Sequence, residues 1–227
     1  MQDVKLEKRY SAKTAATINL LDERQIPYDL ILRLLECICF DDKHLRRHST
    51  AILIFMPGMG EIRRMNDMLT EHGKFGSEDE FVIHALHSTV SSENQGAVFD
   101  VPRKGIRKIV IGTVSLRIGF RTCSPPTQAT NIAETGITIP DITCVIDSGK
   151  HREMRFDEKR QMSRLVESFI AKSNAAQRRG RAGRVQDGLC FHLFTKLRHD
   201  TIVNILHRIV NDLLTLLCRW PIIHSRR

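Results

Sequence analysis

Four arginines crowd into eight residues late in the sequence, Gln177-Arg178-Arg179-Gly180-Arg181-Ala182-Gly183-Arg184, which we call the arginine motif. A guanidinium offers a planar fork of N–H donors that matches phosphate oxygens, and glycine lets the backbone approach a ligand closely. If the stretch is helical, Arg181 and Arg184 share one face. The motif favours a triphosphate site, with one arginine on the γ-phosphate and another stabilising the transition state. The alternative is a solvated basic turn or a nuclear-localisation-like patch.

Three further segments carry groups that suit phosphates. Ala129–Asp141 contains three threonines, an asparagine, two acids and a glycine between two apolar runs, where N–H and hydroxyl groups can donate to phosphate, or simply cap a helix. In Ile52–Glu61 a strand runs through Pro-Gly-Met-Gly into a helix, whose N-terminus attracts anions. Any strand-to-helix unit has this pattern, so it is not specific by itself. His87–Gln95 is rich in hydroxyl groups and suits a sugar–phosphate backbone or an ordinary helix cap.

Composition agrees with a phosphate-rich partner. The 227 residues include 35 Lys or Arg against 26 Asp or Glu, a net charge of +9, and residues 150–184 alone hold eleven basic and four acidic residues. An apolar content of 41% indicates a folded domain. No apolar run approaches the ~20 residues of a membrane span, and the N-terminus lacks a signal-peptide core, so we expect a cytosolic or nuclear location and no membrane partner.

The cysteines do not indicate a metal site. None of the six forms a Cys-x-x-Cys pair, and no histidines lie at zinc spacing around them. We therefore expect free thiols that behave as small buried apolar side chains, and no metal ligands in this chain.

Short apolar runs alternate with helical patterns along the chain. The runs predicted to be strands are Ala51–Met56, Phe81–Leu86, Ile106–Ile111, Ile142–Asp147 and Leu189–Phe194. Pro27–Phe40 is predicted to be a helix, since Pro27 suits a first helical position and an apolar stripe follows it, and a second helix runs to about Glu71. This order predicts an α/β fold with a mainly parallel, helix-covered sheet. Ligands bind beyond the carboxyl ends of such strands, where the polar segments begin.

Three stretches fall outside this pattern. Met1–Asp22 is polar and basic and is predicted to be a linker before a domain of residues 23–201. Gly112–Gln128 has no clear period and interrupts that domain directly after a strand. In the tail, residues 202–227, apolar side chains at helical spacing predict a C-terminal amphipathic helix.

Together and in this order, the segments resemble the second RecA-like domain of the DEAH/RHA family of ATP-dependent RNA helicases. The similar segments are Ile52–Ile62 (motif IV), Ala85–Phe99 (motif IVa), Ala129–Asp141 (motif V), Val145–Gly149 (motif Va) and Gln177–Arg184 (motif VI). The resemblance extends from about Tyr10 to Thr201, apart from the insertion Gly112–Gln128. Within the family, the chain is most similar to the subgroup related to the DEAH helicase associated with scanning in translation initiation.

The resemblance implies that ATP is the ligand. Gln177, Arg181 and Arg184 would face it, with Arg181 on the γ-phosphate and Arg184 as the arginine finger. Phe99 matches the position whose ring stacks on adenine in similar proteins, although a core phenylalanine is an equal alternative. The same resemblance implies ATP-driven translocation on single-stranded RNA by two RecA-like domains that close on ATP and reopen after hydrolysis.

The remaining roles implied by the resemblance lie in motifs IV, IVa and V. Thr138 would lie near the nucleotide, with Asp141 beside it; many members have an acid two residues after that threonine, where this chain has Pro140. Contacts to the RNA backbone are expected from Thr130, Thr89 and Gly58.

The chain lacks two signatures of the family. It contains no Gly-x-x-x-x-Gly-Lys-Ser/Thr phosphate loop and no Asp-Glu-Ala-His, which the family places, with the acids that hold Mg²⁺, on a first RecA-like domain. We therefore expect this chain to need that domain as a partner and not to hydrolyse ATP alone. RNA and ribosomal or translation-initiation complexes are the other expected partners, in the cytoplasm, with the nucleus as an alternative.

Two questions stay open at this stage. Gly112–Gln128 is either an extruded loop or an unspliced intron translated in frame, and Thr113 could replace Thr130 after the strand, although Thr130 is contiguous with the rest of motif V. The alternative function is a catalytically incomplete RNA- or partner-binding fragment. A gene-model artefact without a stable product is a third interpretation, and an unrelated nucleotide-binding α/β domain is a fourth, which the arginine motif disfavours.

Overall fold

The computed structural model describes residues 11–86, 96–113, 139–157, 160–183 and 187–201. Its helices are α1 (Ala12–Asn19), α2 (Tyr28–Glu36), α3 (Lys43–Arg46), α4 (Met59–Thr70), α5 (Lys172–Arg179) and α6 (Lys196–Thr201). Its strands are β1 (Ala51–Phe55), β2 (Phe81–Leu86), β3 (Arg107–Gly112), β4 (Cys144–Asp147), β5 (Lys150–Asp157), β6 (Met162–Phe169) and β7 (Leu189–His192). A π-helical turn, Cys37–Asp41, extends α2, and a 3₁₀ turn, Ala97–Phe99, precedes β3.

Five of the strands form one parallel sheet in the order β2–β3–β1–β4–β7. Strand β1 is central because it is apolar throughout and every one of its residues is buried. All five strands of this sheet were predicted, each within two residues at either end. The predicted α/β fold with a mainly parallel, helix-covered sheet is thereby confirmed.

Alternate residues of the strands divide the core between the two faces of the sheet. One face buries Ile54, Ile109 and Ile146 against α2 and α4. The opposite face buries Leu53, Val110 and Val145 against the 3₁₀ turn and the chain around Ile139 and Ile142. We call this second face the motif face, because Phe99 of motif IVa and Ala182 of motif VI pack against its buried cluster.

The antiparallel hairpin β5–β6 was not predicted. Its strands pair from Lys150 with Phe169 at the base to Asp157 with Met162 near the tip, as a two-stranded sheet of its own. Five of the eight residues of β5 are charged, and β6 mixes two charged residues with apolar and hydroxyl ones, so no long apolar run marks either strand in the sequence. The hairpin nevertheless exposes several large apolar side chains, Met154, Phe156, Met162 and Leu165.

Two polar or charged stretches outside the main sheet and its covering helices contain short helices. The predicted linker Met1–Asp22 includes α1, which Ser11 caps by accepting a hydrogen bond from the Thr14 amide. The charged stretch after residue 41 includes α3, capped by the Asp42 carboxylate. Within the described ranges, no helix combines the length and apolar character needed to cross a bilayer. The insertion and the tail lie outside these ranges, apart from Gly112 and Thr113.

Candidate functional site

The arginine motif begins on α5 and leaves it after three residues. Helix α5 ends at Arg179 and Arg181 lies in the turn that follows, so the condition under which Arg181 and Arg184 would share a helical face is not met at Arg181. Gly183 has a φ of 79°, a left-handed conformation that suits glycine and bends the chain away from the helix axis. Arg184 lies outside the described residues.

Side chains of the motif divide between solvent and core. Gln177 and Arg179 are exposed on α5, whereas Arg178 between them is only 1% exposed. Arg178 is therefore a core residue and neither a ligand contact nor part of a solvated turn. Its Nη1 lies 2.5 Å from Oδ1 of Asp147, and its Nη2 donates to the Lys150 carbonyl at 3.0 Å. The guanidinium also lies over the ring of Phe55.

Asp147 is fully buried at the carboxyl end of β4 and is surrounded by donors. Besides Arg178, the Gly149 amide donates to it at 2.8 Å, and Nδ1 of His192 lies 3.2 Å from its other oxygen. Burial alone would raise the pKa of this carboxyl, but Arg178, His192 and the Gly149 amide together hold the pKa below its ordinary value. We call Arg178–Asp147 the carboxyl-end pair. It fixes α5, and with it the start of the arginine motif, to motif Va.

Gly149 makes the turn after this pair possible. Its φ of 72° is left-handed, and a Cβ atom there would overlap the ring of Phe194. The turn lets the chain reverse from β4 into the hairpin while the Gly149 amide still reaches Asp147.

Phe99 and the turn after α5 pack against the same buried cluster on the motif face. Phe99 ends the 3₁₀ turn and is partly buried, and Ala182, next to Arg181, packs against the same buried cluster of Leu53, Val110 and Ile139. Sequence-predicted residues from motifs IVa and VI thus share one surface, although they are more than eighty residues apart in the chain.

Asp141 lies just before β4 and pairs with a cation that the sequence did not single out. One of its carboxylate oxygens is 2.7 Å from Nζ of Lys108, which is fully buried on the motif face. We call Lys108–Asp141 the amino-end pair. A lysine at the start of an otherwise apolar strand was the only signal for it in the sequence.

The remaining predicted residues lie in motifs IV, IVa and V. Gly58 immediately precedes α4, beyond the carboxyl end of β1, as expected. A Cβ atom at Gly58 would come within 2.8 Å of the Arg152 guanidinium, which forms an ion pair with Glu61 at 2.7 Å. Three predicted residues lie outside the described part of the chain, namely Thr89, Thr130 and Thr138.

Much of the basic charge near the arginine motif is paired within the fold. Ion pairs engage four of these basic residues, Lys150 with Glu167, Arg152 with Glu61, Arg155 with Glu153 and Arg178 with Asp147. Among the described residues, no three His, Cys, Asp or Glu side chains cluster in a way that would hold a metal ion, so they offer no fit for Mg²⁺.

The described cysteines match the sequence-based expectation. All four are free thiols, and Cys39 and Cys144 are buried. Burial raises the pKa of Cys144 and of Cys190 to about 12, so both remain protonated near neutral pH.

Comparisons with known proteins point in one direction. Residues 128–186 match the helicase conserved C-terminal domain, and this match begins where the insertion Gly112–Gln128 ends. The human ATP-dependent RNA helicase DHX29 is 43% identical over 195 residues, and the human ATP-dependent DNA/RNA helicase DHX36 is 39% identical over 193 residues. The crystal structure of the E. coli DExH-box NTPase HrpB superposes with a TM-score of 0.61 at 29% identity and covers 81% of this chain.

The similarity spans only a small part of these relatives. Each alignment covers 85% of this chain but 13% of DHX29 and 17% of DHX36, and the structural match covers 19% of the HrpB chain. The shared region is therefore one domain of much longer proteins.

Proposed function

Because this chain carries a helicase C-terminal domain of the DEAH-box RNA helicase family, we propose that it forms one half of an ATP-driven enzyme that translocates along single-stranded RNA. Its part is to supply the arginine side of the ATP site and a stretch of the RNA track. The phosphate loop and the Mg²⁺ ligands come from a first RecA-like domain, since this chain contains neither motif.

One observation carries the nucleotide side of the proposal. Phe99 and the turn that holds Arg181 pack against the same buried cluster on the motif face. An aromatic ring for the adenine and a guanidinium for the phosphates are thereby offered from one surface. Gln177 is exposed on the last turn of α5, where its amide can reach the same ligand. In this proposal, Arg184 follows as the arginine finger, and Thr138 lies beside the nucleotide.

For RNA, we propose contacts to the sugar–phosphate backbone from motifs IV, IVa and V. The candidate residues are Gly58, Thr89 and Thr130. The choice of Thr130 over Thr113 is supported by the family match, which spans residues 128–186 and so includes Thr130 but not Thr113. Phosphate contacts of this kind position an RNA without reading its sequence.

The biological setting is proposed from the relatives. Similarity to DHX29 and DHX57 supports an RNA-directed role, and we propose a place at ribosomal or translation-initiation complexes in the cytoplasm, with the nucleus as the alternative. A catalytically incomplete fragment that binds RNA or a partner is the alternative function, and the same experiment separates the two.

The test uses the purified 227-residue chain, a fluorescent ATP analogue (mant-ATP) and a fluorescent single-stranded RNA. We expect binding of both, no ATP turnover, and about tenfold weaker mant-ATP binding in Arg181→Ala, the loss expected for one charge-assisted contact. Arg179→Ala is the matched control, since Arg179 is an exposed arginine of the same motif without an assigned role. RNA binding without nucleotide binding would favour the fragment. Turnover that Arg184→Ala abolishes would overturn the expected dependence on a second domain.

A further inference from the structure

Lys108 is a fully buried lysine that no step of the proposed reaction uses. It is the second residue of β3, between β1 and β2, and its side chain lies on the motif face with that of Val110. Burying an ammonium group costs several kcal/mol unless hydrogen bonds replace its water shell. A lysine at this position therefore needs acceptors that the fold must supply.

The fold supplies one acceptor for each of the three N–H groups. Nζ of Lys108 donates to the Val98 carbonyl at 3.0 Å, to the Asp100 carbonyl at 3.1 Å and to the Asp141 carboxylate at 2.7 Å. An ammonium group has three donors, so its capacity is fully used. The arrangement has no free donor left for a ligand, which excludes a direct contact between Lys108 and a nucleotide.

These acceptors belong to two segments that are far apart in the sequence. Val98 and Asp100 flank Phe99 at the end of motif IVa, and Asp141 ends motif V. The ammonium group thus holds both neighbours of Phe99 by their carbonyls and joins them to the last residue of motif V. The two carbonyls on either side of Phe99 also restrict how its backbone can turn.

We propose that Lys108 is a positioning residue of the nucleotide site, which sets the place of the Phe99 ring and couples it to motif V. The proposal rests on the function proposed above for Phe99. It also assigns Asp141 a role through Lys108, in place of the position beside the nucleotide that the resemblance implies. The phosphate side of the site, formed by Gln177 and Arg181, lies on α5 and the turn after it, whereas the three acceptors of the Lys108 ammonium group lie in other segments.

The test separates the base side of the site from its phosphate side. The variant is Lys108→Met, which keeps the length of the side chain but removes the three donors. Two probes compare the sides: mant-ATP, which contains the base, and inorganic tripolyphosphate, which competes for the phosphate side alone. Lys150→Met is the matched control, because Lys150 is also buried and bonded to a carbonyl, that of Arg24, and to a carboxylate, that of Glu167, but in the hairpin.

We expect Lys108→Met to weaken mant-ATP binding about tenfold and to leave the dissociation constant of tripolyphosphate unchanged. Hydrogen exchange of the backbone amides is expected to accelerate in residues 97–101 and 139–143. Lys150→Met is expected to change neither reading. Equal weakening of both probes would indicate a general structural role and overturn the proposal, as would unchanged exchange in the two segments.

A second variant covers the case in which Lys108→Met does not fold. Asp141→Asn keeps the lysine and both carbonyl bonds and removes only the charge of the third acceptor, so a smaller effect of the same pattern is expected. If the wild-type chain binds neither mant-ATP nor tripolyphosphate, the proposed function fails. Hydrogen exchange of residues 97–101 and 139–143 in the two variants then decides whether the coupling of the segments exists.

Discussion

The two buried ion pairs lie on the same face of the sheet and at opposite ends of it. Lys108 pairs in register with Ala51 at the start of β1, and Asp147 with Phe55 at its end, four residues or about 13 Å apart along the strand. Each pair joins a strand to a segment that carries a helicase motif. They differ in which of the two charged groups, the cation or the anion, has all its hydrogen-bond partners supplied by the fold.

In the amino-end pair the cation is the satisfied partner. Lys108 has three acceptors, and the side chain of Asp141 is 17% exposed and keeps some contact with water. In the carboxyl-end pair the anion is satisfied, since Asp147 has three donor residues, whereas Nε of Arg178 is buried without a hydrogen-bond partner. Both groups of the carboxyl-end pair are at most 1% exposed. The comparison shows that a buried ion pair can keep some contact with water at one end of a sheet and be shielded from water at the other end.

Removing Arg178 should have the largest effect, because it leaves a buried carboxylate without its counter-charge. We expect Arg178→Met to lower the free energy of unfolding by about 3–5 kcal/mol. Urea denaturation, followed by circular dichroism, measures the loss. Arg179→Met is the matched control, and we expect it to stay within about 0.5 kcal/mol because Arg179 is exposed.

The same measurement on Lys108→Met sharpens the comparison. The carboxylate of Asp141 can draw on solvent, so a smaller loss of about 2 kcal/mol is expected. A loss equal to or larger than that of Arg178→Met would break the distinction between a partly hydrated pair and a sealed one.

The carboxyl-end pair should also make the free energy of unfolding depend on pH in the acid range. The pKa of Asp147 lies below its unfolded value of about 3.9, so its contribution is complete above that pH and is lost as the pH falls through the folded pKa. The difference in unfolding free energy between wild type and Asp147→Asn should therefore be constant above about pH 5. Below about pH 4 it should shrink, by at most about 1.4 kcal/mol per pH unit.

The control for this acid dependence is Glu78→Gln, an exposed acid in the loop before β2, which should shift the curve little at any pH. A difference for Asp147→Asn that persists undiminished to pH 2 would contradict a stabilising, ionised Asp147.

The smallest effect is a shift in a neighbouring histidine. Burial lowers the pKa of the half-buried His84, the charge of Lys108 lowers it further, and Asp100 and Asp141 raise it. Lys108→Met should therefore raise the pKa of His84, and Asp141→Asn should lower it. An NMR titration of the imidazole ring measures both, with the exposed Lys13→Met as control. Shifts of the same sign in the two variants would show that the amino-end pair is not charged as described.

The sheet was predictable from the sequence because its strands are buried on both faces. Runs such as Ala51–Phe55 are apolar at every position, and that signal does not depend on any distant partner. The hairpin β5–β6 was not predictable in the same way. Its strands stand largely outside the core and carry charges that pair across the hairpin or with α4, so neither strand contains a run or an alternation that identifies it.

The candidate site was predictable only in part. The spacing of the arginine motif predicted a phosphate-binding segment, but it gave no sign that Arg178 is a core residue. That role depends on Asp147, 31 residues earlier, just as the burial of Lys108 depends on Asp141, 33 residues later. Whether a charged side chain is buried depends on the partner that the fold places next to it. The spacing of residues in the sequence does not reveal that partner.

The full use of the Lys108 donors has a consequence for chemical labelling. An amine attacks an acylating reagent through its free lone pair, which an ammonium group buried among three acceptors does not have. Exposed lysines such as Lys74 should react within the first minutes, whereas Lys108 should be modified only when the segment around Phe99 detaches. The rate at which the label appears on Lys108, followed by mass spectrometry, therefore measures how often the motif face opens.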